Sequence, residues 1–503
     1  MKNTMNRTAI VLNEPELEFR YGQRACDPRD GLALFGPYDA DLPSRPTTVN
    51  YLLLGTDEGI AKFQEWSQLI AQPCFDTPKG NQRLWAPYPG FSAAFCTSWM
   101  TDPVWSYEIN RQKLSEASKH RDGYERAYKV VNLFLDGLRQ SVDRDERIGV
   151  AICVVPDYVW KNCRPKSTVS NTQEEPISFR RIKQRKTGQL ELFDDYEIEQ
   201  YWMSTDFRRQ LKARAMEFDV PIQIVRESTL RPTSEKKFGQ RGLTPLSDRL
   251  WNMSTTIYYK CGGKPWRLVT AREGVCYIGI AFKRAEEDSR TACCAAQMFL
   301  DTGDGIVFLG KFGPWYSTAD KQFHLDKVTA RSLLEGVLST YNEREGKPLT
   351  EIFLHSRSMI GTEEYEGYQE ACPKNVSLTG IRVRLDDDKT RLFRLGEMPL
   401  MRGTFWKFRE NSGFLWGSGF KPRLATYDGW ELPIPLRIDV QHGENTPIER
   451  VAQDILSLTK LNYNACRLGD AEPVTVGFSD AVGEILISNP KVSKRKPNFK
   501  FYI

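Results

Sequence analysis

Between Tyr258 and Lys283 the chain reads YYKCGGKPWRLVTAREGVCYIGIAFK, and the first half of that stretch is suited to an anion. Lys260 stands just before the pair Gly262–Gly263. Residues without a Cβ let backbone N–H groups come close to a phosphate beside the ammonium. Further back, Arg208 and Lys212 are four residues apart in a helix-like segment, Asp206–Glu217, and share one face of it. That pair alone fits a solvated helix face as well as an anion site. Metal chemistry finds less support. The eleven cysteines are scattered, and Cys293–Cys294 is an adjacent pair rather than C-x-x-C. The four histidines, His120, His324, His355 and His442, are dispersed. Reduced thiols in a cytoplasmic protein are the expectation.

These residues need a scaffold, and 503 residues allow two or three domains, each with its own core. The composition is globular, with 40% hydrophobic, 27% charged and 12% aromatic residues. No apolar run approaches the ~20 residues that span a bilayer, and the start lacks the apolar segment of a signal peptide. A net charge of +5 neither demands nor excludes nucleic acid. The positive charge is clustered locally, in Arg180–Lys186, Arg208–Arg214 and Lys491–Lys500.

Residues 1–145 read as an α/β extension. Strand-like pieces surround a turn-rich segment, Gly22–Asp39, followed by a strand at Val49–Leu54 and helices at Gly59–Ile70 and Gly123–Val142. Strand Ile148–Val155, a polar surface loop Ser167–Gln189, helix Asp206–Glu217 and strand Pro221–Val225 give the rhythm of a parallel sheet over residues 146–265. Past Gly274 the style changes. Val275–Lys283, Cys294–Leu300 and Gly305–Gly310 form a meander, then come helix Thr329–Arg344 and strand Glu351–His355. Strands near Gly413–Gly419 and Leu436–Val440 and helix Pro447–Leu458 complete residues 266–503 as a mixed sheet of RNase H type.

With these elements in place, the run KCGGKPW followed by VCYIGIA resembles the MID–PIWI junction of prokaryotic Argonautes. The resemblance extends to DPRDGLALFGP (Asp27–Pro37), RESTL (Arg226–Leu230), CCAAQMFLDTGDG (Cys293–Gly305), LTKLNYNAC (Leu458–Cys466) and the terminal FKFYI. It points to the short members, which keep only MID and PIWI. The resemblance implies a Rossmann-like MID domain followed by an RNase H-like PIWI domain. It also implies a guide 5′-phosphate pocket at Arg208, Lys212, Gln223 and Lys260. Gln223 and the carboxylate of Ile503 would hold a magnesium ion there, because a carboxylate beside phosphates needs a cation between them.

In nuclease-active relatives the first metal-binding acid follows I-G-I, where this chain has Ala281, and the second follows the strand Ile352–His355, where it has Arg357. Asp480, in the expected strand end Pro473–Glu484, is the surviving candidate, and one acid cannot hold two metal ions. His355 reads as a packed strand-end histidine. The expectation is a catalytically inactive scaffold.

The resemblance further implies a guide RNA, a single-stranded DNA target, and a separately encoded heterodimer partner with an APAZ region. That partner would carry a TIR or sirtuin-like NADase or a nuclease, switched on by invading plasmid or phage DNA in prokaryotic antiviral defence by abortive infection. A higher oligomer would form on activation. Trp406, Phe408, Phe414, Trp416 and Phe420 are candidates either for the partner surface or for ordinary packing. Two rivals remain: a guided nuclease using Asp301, Asp304 and Asp480, and an unguided single-strand binder.

Overall fold

The computed structural model describes residues 9–76, 81–142, 147–169, 179–187, 198–233, 243–270, 272–284, 292–299, 305–317, 321–344, 348–386, 390–427, 429, 431–443, 446–488 and 496–503. Strand β1 (Tyr51–Gly55) is buried along its whole length, as its unbroken apolar run requires of a strand covered on both faces. It leads into α1 (Asp57–Ala71), where Thr56 Oγ1 accepts the Gly59 N–H at 3.2 Å and caps the helix. Then follow β2 (Trp105–Glu108), α2 (Gly123–Val142), β3 (Val150–Val155), α3 (Phe207–Ala215), β4 (Ile222–Arg226) and α4 (Leu246–Lys260). The four strands are parallel, in the order β2-β1-β3-β4. Tyr51 and Leu53 pack in the core with α1, while Leu52 and Leu54 pack with α2 and α3 on the other side. This is a doubly wound sheet.

This pairing runs across the expected boundary between residues 145 and 146. Leu52 of β1 is in register with Ala151 of β3, so residues on both sides of 145 build one sheet. Alternate side chains of β1 need cover on both faces, and the chain before 145 supplies it.

The second unit contains β5 (Val275–Arg284), β6 (Ala292–Phe299), β7 (Gly305–Gly313), α5 (Lys327–Arg344), β8 (Glu351–Ser356), α6 (Thr362–Ala371) and β9 (Ser377–Leu385). It continues with β10 (Thr404–Arg409), β11 (Ser412–Leu415), β12 (Leu436–His442), α7 (Ile448–Leu458) and α8 (Ser479–Ile487). Among the described residues these strands, with Ile10–Val11 at one edge, form a nine-stranded mixed sheet. Its order is Ile10–Val11, β10, β11, β12, β9, β8, β5, β6, β7. β5, β8 and β9 are mutually parallel and the others antiparallel. Helices α5 and α6 cover one face through Leu333, Leu334, Val337 and Tyr368.

Three local expectations change. The turn-rich Gly22–Asp39 holds a helix, Pro28–Phe35, started by Asp27 as N-cap and a proline in the first turn. The polar loop Ser167–Gln189 contains a basic helix, Phe179–Lys186; residues 170–178 and 188–189 lie outside the described residues. Pro473–Glu484 is helical, not a strand end: Val474–Gly477 forms one turn and α8 begins at Ser479. Pro473 pre-sets the first turn, which the β-branched residues after it had masked.

Candidate nucleic-acid interface

Helix α3 starts at Asp206, whose carboxylate accepts the N–H groups of Arg208 and Arg209 at 3.0 and 3.3 Å. The cap fixes the register that places Arg208 and Lys212 one turn apart on the same side. Helix α4 is buried on nearly every face and ends at Lys260, which is 1% exposed. Its ammonium donates to the main-chain oxygens of Ile222 and Ile503, both at 2.6 Å. Lys212 Nζ donates to the main-chain oxygen of Tyr502 at 3.2 Å. Phe501, Tyr502 and Ile503 are buried. Arg208, Lys212, Lys260 and the segment Tyr502–Ile503 therefore meet, although 295 residues separate the first from the last (503 − 208).

The electrostatics are those of buried cations close to one another. Burial, then the charges of Lys260 and Arg208, push Lys212 well below the usual lysine range. Burial draws Lys260 down to about 7. Burial also lowers Arg208, with Arg164 and Arg209 adding to the effect and Asp206 opposing it. Each group gives up solvation and faces like charge, and a phosphate would relieve both costs.

Gln223 lies on β4 next to Ile222, whose carbonyl takes the Lys260 bond. Its Nε2 donates to Ile224 O at 3.3 Å, and its Oε1 is buried with no hydrogen-bond partner among the described residues. No hydrogen bond among the described residues joins it to the three cations. Three of the four expected pocket residues are thus gathered directly, and Gln223 is placed beside them with an unused oxygen.

Ala281 is buried on β5 and pairs with Ala295 of β6. One residue beyond β8, Arg357 donates to Glu472 Oε2 at 2.8 Å. His355 is buried, its Nδ1 lies 2.8 Å from Thr475 Oγ1, and burial lowers its pKa to about 3. Packed and neutral, it has the role expected of it. Asp301 and Asp304 lie outside the described residues, as does the side chain of Asp480. Among the described residues no three His, Cys, Asp or Glu side chains are grouped to hold a metal ion.

Sequence reasoning missed several members of these sites. Glu472 and Thr475 are more than 100 residues from their partners, with no local signal. Glu484 escaped for the same reason: it pairs with Arg209 at 2.6 Å and Lys283 at 3.2 Å, tying α3 to β5. Asp206 was findable, since an aspartate before a helical run is a capping signal. The aromatic group divides as follows. Phe414 and Trp416 are buried with Leu400, Trp406 and Phe408 pack half-buried against them, and Phe420 is half-buried.

No protein-family model matches the sequence, and no curated protein matches it. Solved structures do. The chain superposes on Clostridium butyricum Argonaute bound to a guide DNA and a 19-mer target DNA with a TM-score of 0.63 at 15% identity, covering 100% of this chain and 55% of that one. A. aeolicus Argonaute gives a TM-score of 0.57 at 13% identity, covering 99% and 56%. Aa-Ago with externally bound siRNA gives 0.56 at 15%, covering 98% and 56%. The chain thus spans little more than half the length of these proteins. Its doubly wound and mixed-sheet units together have an Argonaute-like α/β fold, consistent with a MID–PIWI architecture.

Proposed function

We propose that this chain binds a 5′-phosphorylated guide, an RNA, through Arg208, Lys212 and Lys260, and uses it to recognise complementary single-stranded DNA. The observation that carries the reading is the convergence of these three cations at the end of α4, each with its pKa pushed down. The doubly wound unit would be the guide-end-binding domain and the nine-stranded unit a PIWI-type cradle. The superposed C. butyricum protein is the one bound to guide and target DNA.

Magnesium fits this reading. The buried, unpartnered Gln223 Oε1 is a hard oxygen donor, and Gln223 with the Ile503 carboxylate would hold the ion. When bound, it would neutralise charge between guide phosphates and that carboxylate. The chain itself would not cut. Ala281 would offer no ligand, and Arg357, which is paired with Glu472, would replace the second acid expected from the resemblance. The output would then fall to a partner: an APAZ-type effector of NADase or nuclease chemistry, in defence against invading DNA. For localisation, no described helix is long and apolar enough to cross a membrane, and a cytoplasmic site is part of the proposal.

The test is binding of 5′-phosphorylated and 5′-hydroxyl oligonucleotides of one sequence. Lys212→Ala or Lys260→Ala should weaken the phosphorylated form by about 1.5–3 kcal/mol for each charge-assisted bond removed. The hydroxyl form should change far less. Equal losses on both would remove the pocket assignment.

A further inference from the structure

Away from the pocket, the face of the nine-stranded sheet on the α5 and α6 side changes character. Leu378, near the start of β9, packs under those helices. Four and six residues along, on the same side of the strand, stand Arg382 and Arg384, half-buried rather than covered. The register sets Arg384 directly opposite Arg437 of β12 and Arg382 opposite Asp439. Like charges facing each other across two strands are destabilising unless something answers them.

The acids on the described residues do so incompletely. Asp439 is taken by Arg437, which donates to it from both Nε and Nη2 at 3.0–3.2 Å. Asp386, two residues past Arg384, does not bond it: Asp386 Oδ2 and Arg384 Nε are each buried without a hydrogen-bond partner among the described residues. Arg382 donates to the Arg357 carbonyl at 3.1 Å and to Gln322 Oε1 at 3.2 Å, both neutral acceptors. Burial first, then the charges of Arg384 and Arg437, lower its pKa, with Asp439 opposing.

The neighbouring strands add a rigid shelf. Phe408 and Phe414 stack at 4.8 Å, and Trp406 stacks on Phe414 at 5.8 Å. The Arg437 and Arg409 guanidiniums lie 5.6 and 6.0 Å from the Phe408 ring centre. The rings hold both guanidiniums near the sheet surface, and a phosphate would compete with Asp439 for the N–H edge of Arg437. Beyond Arg382 the row reaches Arg357 at the end of β8, so the guanidiniums run along one end of three adjacent strands, β12, β9 and β8.

We infer that Arg382, Arg384 and Arg437 form a phosphodiester-binding surface, separate from the Lys212–Lys260 pocket, that grips the backbone of the single-stranded target. The inference rests on the guide-binding reading for the identity of the polyanion. An acidic protein segment is the competing occupant.

The experiment loads the full chain with a 5′-phosphorylated guide and measures capture of a complementary DNA strand between 50 and 300 mM salt, for the parent, for R382Q/R384Q/R437Q and for D439N. The triple variant should capture target at least tenfold more weakly at low salt. Its slope of log affinity against log salt should be shallower by about 2, near 0.7–0.9 for each phosphate no longer neutralised. Guide loading should be unchanged. D439N, which frees Arg437, should shift capture the opposite way, so a misfolded triple variant does not decide the matter alone. Unchanged slopes in both variants, with guide still loading, overturn this inference only. A variant that loses binding to polyglutamate but keeps parental target capture also overturns it, in favour of an acidic protein partner. A parent without guide-dependent capture overturns the guide-binding reading, and this surface with it.

Discussion

At the scale of single residues, the decisive feature is charge placed where water is scarce. Lys260 is held at about 7 by burial, far below the ~10.4 of a solvated lysine. Below about pH 7 the folded and unfolded chains both hold this proton. Between about 7 and ~10.4 only the unfolded chain holds it, so the free protein should gain stability as pH rises through that window. Phosphate binding needs the ammonium, so affinity for a 5′-phosphorylated oligonucleotide should fall across the same window. Thermal melts at pH 6.5 to 9.5 should therefore rise with pH for the free protein and be flatter with the oligonucleotide bound, and Lys260→Met should reduce the rise of the free protein. A free protein that loses stability from pH 7 to 9 would contradict this account. His355 illustrates burial with the opposite consequence: bonded to Thr475, it stays neutral and structural.

At the scale of elements, close packing inside the nine-stranded unit and an ion-pair bridge between the two units hold the site residues in place. On β5, a Cβ added at Gly279 would come within 2.0 Å of the Thr475 carbonyl oxygen, a backbone atom. Only glycine lets the turn Val474–Gly477 lie against the strand, and that turn holds Thr475 against His355. Gly279→Ala should cost about 1–3 kcal/mol, the usual range for overpacking, read as a lower midpoint in urea. Gly477→Ala is the control, because the nearest atoms there are 3.7 Å away. If the two variants unfold alike, the close approach at Gly279 is not what fixes the turn. The Glu484 bridge to Arg209 and Lys283 has a related role, since it ties the helix carrying Arg208 and Lys212 to β5.

At the scale of the whole molecule, the three pocket cations lie on helices of the doubly wound unit, and Ala281 and Arg357, the positions expected of catalytic acids, lie in or next to strands of the nine-stranded sheet. Restoring one acid should therefore leave the chain inactive. In Ala281→Asp, the position expected of the second acid would still hold Arg357, whose charge disfavours a metal ion there. A labelled-target gel with guide and magnesium or manganese should show no product for either the parent or the variant. Cleavage by the parent would sink the scaffold reading, and cleavage by the variant would show that Arg357 does not block metal binding.

What the amino-acid sequence determined by itself is the local part of this picture. Apolar runs at Tyr51–Gly55 and Val150–Val155 declare buried strands because their periodicity is intrinsic. The four-residue spacing of Arg208 and Lys212 declares a shared helix face. Tertiary structure decided everything that depends on contact between distant segments. Residues 1–145 complete the doubly wound sheet through pairing of β1 with β3. Glu472 meets Arg357, Thr475 meets His355, and Tyr502 and Ile503 meet the two lysines. Arg384 meets Arg437 only because two antiparallel strands align in one register. Helix capping and the spacing of apolar residues depend on neighbours a few residues away, so they can be read in order along the chain. The energy of a charge depends on what surrounds it in space, and only the folded chain settles that.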